Sequence, residues 1–137
     1  MALNCFSRAI QLSDDSNLSE VYYNLGHVAI SIGDLQLAYQ CFKITISSNP
    51  NHAESFNNLG VLELRKGNVE QAKSNFMQAS RISGFLFEPC YNAAYLMYKR
   101  GDFQESYTMA LKSQELFPEH EDSRELITNL QKHFSIM

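Results

Sequence analysis

The sequence predicts an all-α solenoid of stacked helical hairpins closed by a C-terminal capping helix. Three observations predict it. Residues 20–26 read EVYYNLG, 54–60 ESFNNLG and 88–94 EPCYNAA, so that a glutamate and an asparagine recur together every 34 residues. Gly33, Gly67 and Gly101 keep the same interval, each followed by Asp34, Asn68 or Asp102. Pro50 and Pro118 lie two such intervals apart. A fixed period between 20 and 50 residues is the mark of a repeat array, in which each unit buries its apolar face against its neighbours.

The elements follow in chain order. In residues 2–12, ALNCFSRAIQL, Ala2, Phe6 and Ala9 have the spacing of Ala38, Phe42 and Thr45. Residues 1–18 are therefore expected to hold the second helix of an incomplete unit, the array having begun upstream. Complete units are expected at 19–52 and 53–86, with a divergent one at 87–120. Within each, the glycine at position 15 is expected to take the left-handed conformation that ends a first helix, and the following Asp or Asn to cap the second. Pro50, Gly84 and Pro118 at position 32 stop that second helix. Small residues at position 8 (Gly26, Gly60, Ala94) and position 20 (Ala38, Ala72, Ser106) are expected where the helices cross, with Tyr22, Leu25, Phe42, Phe56, Leu59 and Phe76 supplying bulk. In the third unit Cys90, Ala93, Ala110 and Ser113 stand where larger or more usual residues belong, which predicts weaker contacts offset by Phe103, Tyr107, Leu116 and Phe117. In residues 121–137 Leu126, Ile127, Leu130 and Phe134 form one stripe, with Arg124, Glu125, Thr128, Gln131 and Lys132 elsewhere, as expected of a helix that caps a solenoid against water.

Composition narrows the function classes. With 45% hydrophobic and 12% aromatic residues in 137, the chain can build a core. A formal charge of -4, acidic residues being scattered among basic ones, lacks the positive field that nucleic acid or anionic lipid would require. No apolar run approaches a membrane span, and residues 1–20 are too polar for a signal-peptide core. A cytoplasmic protein is expected, and Asn17-Leu18-Ser19 is then a silent sequon. Cys5, Cys41 and Cys90 are odd in number and form no CxxC pair, so buried reduced thiols are expected. No local signature makes these cysteines, or His27, His52, His120 and His133, a nucleophile with its base, and none are spaced as metal ligands on one helix. The reading is a non-enzyme with no catalytic residue, cofactor or metal.

The hairpin pattern, YNLG and NNLG above all, resembles the tetratricopeptide repeat, closely in the first two units. Segments outside that consensus narrow the resemblance: GHVAISIGD at 26–34, AYQCFK at 38–43, NHAESFNNLGVLELRKGNVEQA at 51–72, the Phe117–Asp122 corner, and the terminal LQKHFSIM. Together they resemble the C-terminal part of the tetratricopeptide-repeat subunit of the BBSome, the Bardet–Biedl syndrome protein eight family, over essentially the whole chain. The resemblance implies a right-handed superhelix and a non-catalytic subunit of a coat-like adaptor that moves membrane proteins in the primary cilium. It further implies location at the cilium and basal body, with other BBSome subunits as partners. Alternatives are a free-standing adaptor gripping extended peptides, and the substrate-selecting arm of a larger enzyme.

Positions 2 and 6 of each unit lie one helical turn apart and share a face of the first helix. In tetratricopeptide arrays that face lines the concave groove. The candidate protein-binding residues are therefore Glu20, Tyr23, Asn24 and His27, then Glu54, Asn57, Asn58 and Val61, then Glu88, Tyr91, Asn92, Tyr95 and Tyr98. An asparagine amide both donates and accepts, which suits an extended peptide backbone of any sequence. The competing reading is that Glu and Asn are common repeat residues with solvated or internal roles. A clamp for a C-terminal carboxylate is disfavoured, because three glutamates stand where such clamps carry lysine and arginine. Arg65-Lys66 and Lys99-Arg100, also 34 apart, are expected to favour the helix dipole at the ends of first helices.

Overall fold

The computed structural model describes residues 15–136, which form helices joined by short turns. Helix α1 spans Asp15–Ser31, α2 Leu35–Ser48, α3 Ala53–Arg65, α4 Val69–Ile82, α5 Phe87–Arg100, α6 Phe103–Leu116 and α7 Glu121–Ile136. α1 packs on α2, α3 on α4 and α5 on α6. Successive hairpins meet through α2 with α3 and α4 with α5, and α7 packs on α6. The sequence segment 2–12 and Cys5 lie outside the described residues. Residues 15–18 belong to α1, so the first helix of the first unit starts earlier than the expected boundary at residue 19.

The helix–turn–helix corners behave as the period predicts at the glycines and differ at the caps. Gly33, Gly67 and Gly101 have φ of 83°, 84° and 86°, a left-handed backbone that side chains rarely adopt. The next backbone N–H then reaches back five residues: Asp34 to the Ala29 carbonyl at 2.9 Å, Asn68 to Glu63 at 2.9 Å and Asp102 to Met97 at 2.8 Å. This closes each first helix in a Schellman-type turn. Among the described second helices, side-chain capping occurs only at Asp34, whose Oδ1 accepts from the Leu37 N–H at 3.1 Å. Asn68 instead donates its amide to Glu63 Oε2 at 2.8 Å, and Asp102 makes no side-chain cap. Glu63 is only 3% exposed, so its carboxylate requires a donor, and the Asn68 amide supplies it.

Each hairpin is held by a residue that is absent and one that fills its place. A Cβ at Gly26 would lie 2.6 Å from Cε1 of Phe42, and one at Gly60 would lie 2.5 Å from Cε1 of Phe76. Both rings are fully buried. In the third hairpin the pair becomes Ala94 against Ala110, both fully buried, so one side has gained the methyl that the other side's smaller residue admits. The Ser106 hydroxyl donates to the Ala94 carbonyl at 2.7 Å and leaves no buried polar group unpaired there.

The expectation of a loosely packed third unit does not hold. Cys90, Ala93, Ala110 and Ser113 are fully buried, and the larger core cluster runs from Ala72 and Phe76 through Met97 and Met109 to Leu126, Ile127 and Leu130. Phe103, Tyr107 and Leu116 pack against it as expected, joined by Phe134. Phe117 is an exception. It is exposed, and its ring meets Phe87 edge-on at 4.9 Å outside the cluster. The small residues here are covered completely, and α7 contributes Leu126, Ile127 and Leu130 to the same cluster. A second cluster, Ala29, Ala38, Phe42, Leu59 and Leu62, joins the first two units.

Two outcomes are expected. Gly60→Ala should lower the melting temperature, because overpacking costs about 1–3 kcal/mol while alanine's helix preference returns only about 1 kcal/mol. Adding Phe76→Leu should recover part of the loss, as read by circular dichroism melts. In hydrogen exchange, the amides of Ala94, Met97 and Ala110 should exchange at least as slowly as those of Leu59 and Phe76, since all belong to well-buried clusters.

Candidate protein-binding face

The first helices of the units, α1, α3 and α5, share one face with α7, and the spacing from unit to unit is preserved by how each helix starts. His52 is the N-cap of α3. Its Nδ1 accepts from the Ser55 N–H at 3.3 Å and lies 2.9 Å from the Ser55 hydroxyl, and its Nε2 lies 3.3 Å from Glu20 Oε1. His120 repeats the device at α7, accepting from the Ser123 N–H at 3.3 Å with the Ser123 hydroxyl at 2.7 Å. At α5 the equivalent residue is Leu86, which has no side chain able to cap. Three residues on stands Pro89, which lacks the N–H that a cap would serve.

The structure brings the expected residues together in two groups. Tyr23, Glu54, Asn57, Asn58 and Glu88 line a cavity of about 220 Å3 with Leu86 and Pro89. Tyr91, Tyr95 and Tyr98 line a second, of about 290 Å3, with Asp122, Glu125, Leu126 and Asn129 of α7. Val61 lies by Asn58 in a smaller hollow that Ile30, Leu62 and Arg65 complete. The His27 ring stands edge-on to Tyr23 at 4.6 Å. Asn24 is exposed and lines neither cavity.

The asparagines divide between internal and open roles. Asn92 Nδ2 donates to Asn57 Oδ1 at 3.0 Å, a bond from α5 to α3 across the unit boundary. Asn58 Nδ2 is buried beside the Tyr23 phenol and makes no hydrogen bond of good geometry among the described residues. A buried donor without a partner carries a desolvation cost of about 1–3 kcal/mol, which an incoming acceptor removes.

Electrostatically the face is acidic. Burial, followed by the Glu54 carboxylate, pushes the Tyr23 phenol above its ordinary range, against the opposing pull of the Asn58 side chain beside it. Tyr91 is raised in the same way, by burial and then by Asp122, Tyr95 and Glu125. Of the basic pairs expected to favour the helix dipole, two members also make inter-helix contacts: Lys66 Nζ lies 3.6 Å from the centre of the Tyr39 ring, and Arg100 pairs with Glu70 of α4. The thiols of Cys41 and Cys90 are buried and free, each raised chiefly by burial.

Several residues of this face escape a reading of the first three units alone. His52 and His120 lie two periods apart, each with serine three residues later, so a search for His-x-x-Ser at unit starts would reveal both caps. Asp122 lies one further period beyond Glu88 and continues the acidic series from Glu20 and Glu54, although α7 is outside the hairpins.

Comparison with known proteins agrees with this geometry. The tetratricopeptide repeat family matches residues 19–52 and 53–84. Over 131 residues, 95% of this chain, the sequence is 47% identical to tetratricopeptide repeat protein 8 of Homo sapiens. The chain spans about a quarter of the length of that relative, 24%. Among solved structures, the Arabidopsis OM64 tetratricopeptide-repeat domain superposes with a TM-score of 0.79 at 18% identity, covering 88% of this chain and 99% of that one. The first such domain of Spaghetti (RPAP3), bound to the HSP90 peptide SRMEEVD, gives 0.80 at 14% identity, covering 89% and 99%.

The histidine cap yields a direct expectation. His52→Ala should destabilise the chain by about 1 kcal/mol, the usual worth of an N-cap, whereas His52→Asn should retain most of it, because asparagine also caps. Urea melts of the two variants against the parent check this; equal midpoints for alanine and parent would show that the cap contributes nothing.

Proposed function

We propose that this chain, a tetratricopeptide-repeat protein, is the repeat array of a non-catalytic scaffold subunit of a BBSome-type assembly, acting with other BBSome subunits in ciliary membrane-protein trafficking and cilium assembly. The observation that carries the reading is the reach of the match to human tetratricopeptide repeat protein 8. It takes in 131 residues, whereas the repeat family alone accounts for 19–52 and 53–84, so the likeness extends well beyond the two regular units. Repeat solenoids present extended surfaces to other proteins, which fits a subunit of a large assembly. The fates of the reactive groups fit a scaffold too: Cys41 and Cys90 are buried with thiols raised, and His52 and His120 cap helices.

Within that role the first-helix face is read as a groove for an extended segment of a partner, engaged through Asn58, Glu54, Glu88 and the tyrosines around them. The unpaired Asn58 Nδ2 supports this, because a backbone carbonyl would satisfy it. A peptide like SRMEEVD is a poor fit, since its carboxylates would meet Glu20, Glu54 and Glu88. No helix among the described residues is long and apolar enough to cross a membrane, so contact with membranes is proposed to run through partners.

Affinity purification of the tagged full-length protein followed by mass spectrometry should recover other BBSome subunits. Recovery of chaperones or a transferase in their place would overturn the assignment. The variant carrying Asn24→Ala, Asn58→Ala and Asn92→Ala should lose much of that recovery. Its melting temperature should fall only slightly, the Asn92–Asn57 bond being worth about 1 kcal/mol. Undiminished recovery would exclude the groove as the binding surface.

A further inference from the structure

The cavity between α5 and α7 differs in chemistry from the amide-rich one beside it. Tyr91 and Tyr95 stack at 6.1 Å and 28°, and Tyr98 stands on the same wall. Opposite them α7 places Asp122 and Glu125, with Asn129 beyond. Among the described residues the ion pairs are Glu20 with His52, Lys73 with Glu105 and Arg100 with Glu70, so neither carboxylate of the cavity has an ion-pair partner. Their field reaches the tyrosines, adding to burial in raising Tyr91. The wall already holds a cation at its rim, where Lys99 Nζ lies 5.3 Å from the centre of Tyr95.

We propose that this cavity takes a single arginine side chain from the segment lying along the face, its guanidinium on the tyrosine faces and paired with Asp122 and Glu125. Aromatic faces attract a cation through their quadrupole, and a planar guanidinium both stacks on a ring and donates two parallel hydrogen bonds to a carboxylate. A lysine ammonium is a compact, strongly hydrated charge that does neither as well. A phosphate or carboxylate would be repelled by the same two residues. A cavity of about 290 Å3 admits one such side chain and fixes the register of the segment that carries it. The inference rests on the reading of this face as a protein-binding surface.

The test uses the whole chain labelled with nitrogen-15 and N-acetyl-arginine methylamide as the probe, followed by amide chemical shifts. Saturable shifts confined to α5 and α7 are expected, with the norleucine analogue giving none and the lysine analogue binding more weakly. Asp122→Asn with Glu125→Gln should weaken binding about tenfold or more, the scale of lost charge-assisted bonds. Tyr95→Ala, at an exposed position outside the core, should weaken it with the spectrum otherwise intact, which guards against a misfolded double variant. Equal shifts from the norleucine analogue, tighter binding of the lysine analogue, or indifference to both variants would each overturn the proposal. Because the probe needs no partner, failure here with BBSome subunits still recovered removes the arginine pocket alone. Saturable binding without such recovery removes the assembly assignment instead.

Discussion

The whole array depends on one steric constraint, the seat that Gly26 and Gly60 leave for the rings of Phe42 and Phe76. At 2.6 and 2.5 Å from where a Cβ would stand, those rings leave no room for any side chain, so the glycines set how closely the two helices of a hairpin approach. Close approach lets Ala29 and Ala38 in the first hairpin, and Ala72 and Ala79 around the second, bury completely. It also decides which residues of the first helix remain outside the crossing, and those form the candidate binding face. Where the third hairpin has Ala94 and Ala110 at these positions, both are still fully buried.

Most of the fold was legible because a period is a strong signal: once Gly33, Gly67 and Gly101 are aligned, the turns, the crossings and the ends of each helix follow. What escaped had physical reasons. Small side chains at Cys90, Ala93 and Ser113 looked like weak contacts, yet a small residue is either a gap or a close approach, and only the position of the facing helix distinguishes them. The capping of second helices by Asn68 and Asp102 was overestimated: neither side chain accepts from its helix, and the Asn68 amide instead serves the buried Glu63 carboxylate, a contact that no helical period registers.

The candidate face was legible as a row of positions and less so as an arrangement. Glu20, Asn57 and Asn92 were read as groove residues, and each also has an internal partner, Glu20 in His52 and the two asparagines in each other. Asn58 differs from them only in what surrounds it, which no sequence pattern encodes. The tyrosines of α5 were recognised, but of their acidic counterparts on α7 Glu125 was read as the polar side of a cap and Asp122 as the end of a corner. One helix serves both purposes, its Leu126, Ile127 and Leu130 stripe sealing the core while Asp122 and Glu125 border the face.

The bonds that join unit to unit on this face are of a different kind from those behind it. Behind, the units meet through buried side chains that nothing in solvent can replace. In front, Asn92 reaches Asn57 and His52 reaches Glu20 through polar groups whose hydrogen bonds water or a bound backbone can take over. The joints thus pair a fixed apolar spine with polar contacts on the face that water can exchange, so a single array is held by two kinds of bond with different sensitivity to what surrounds it.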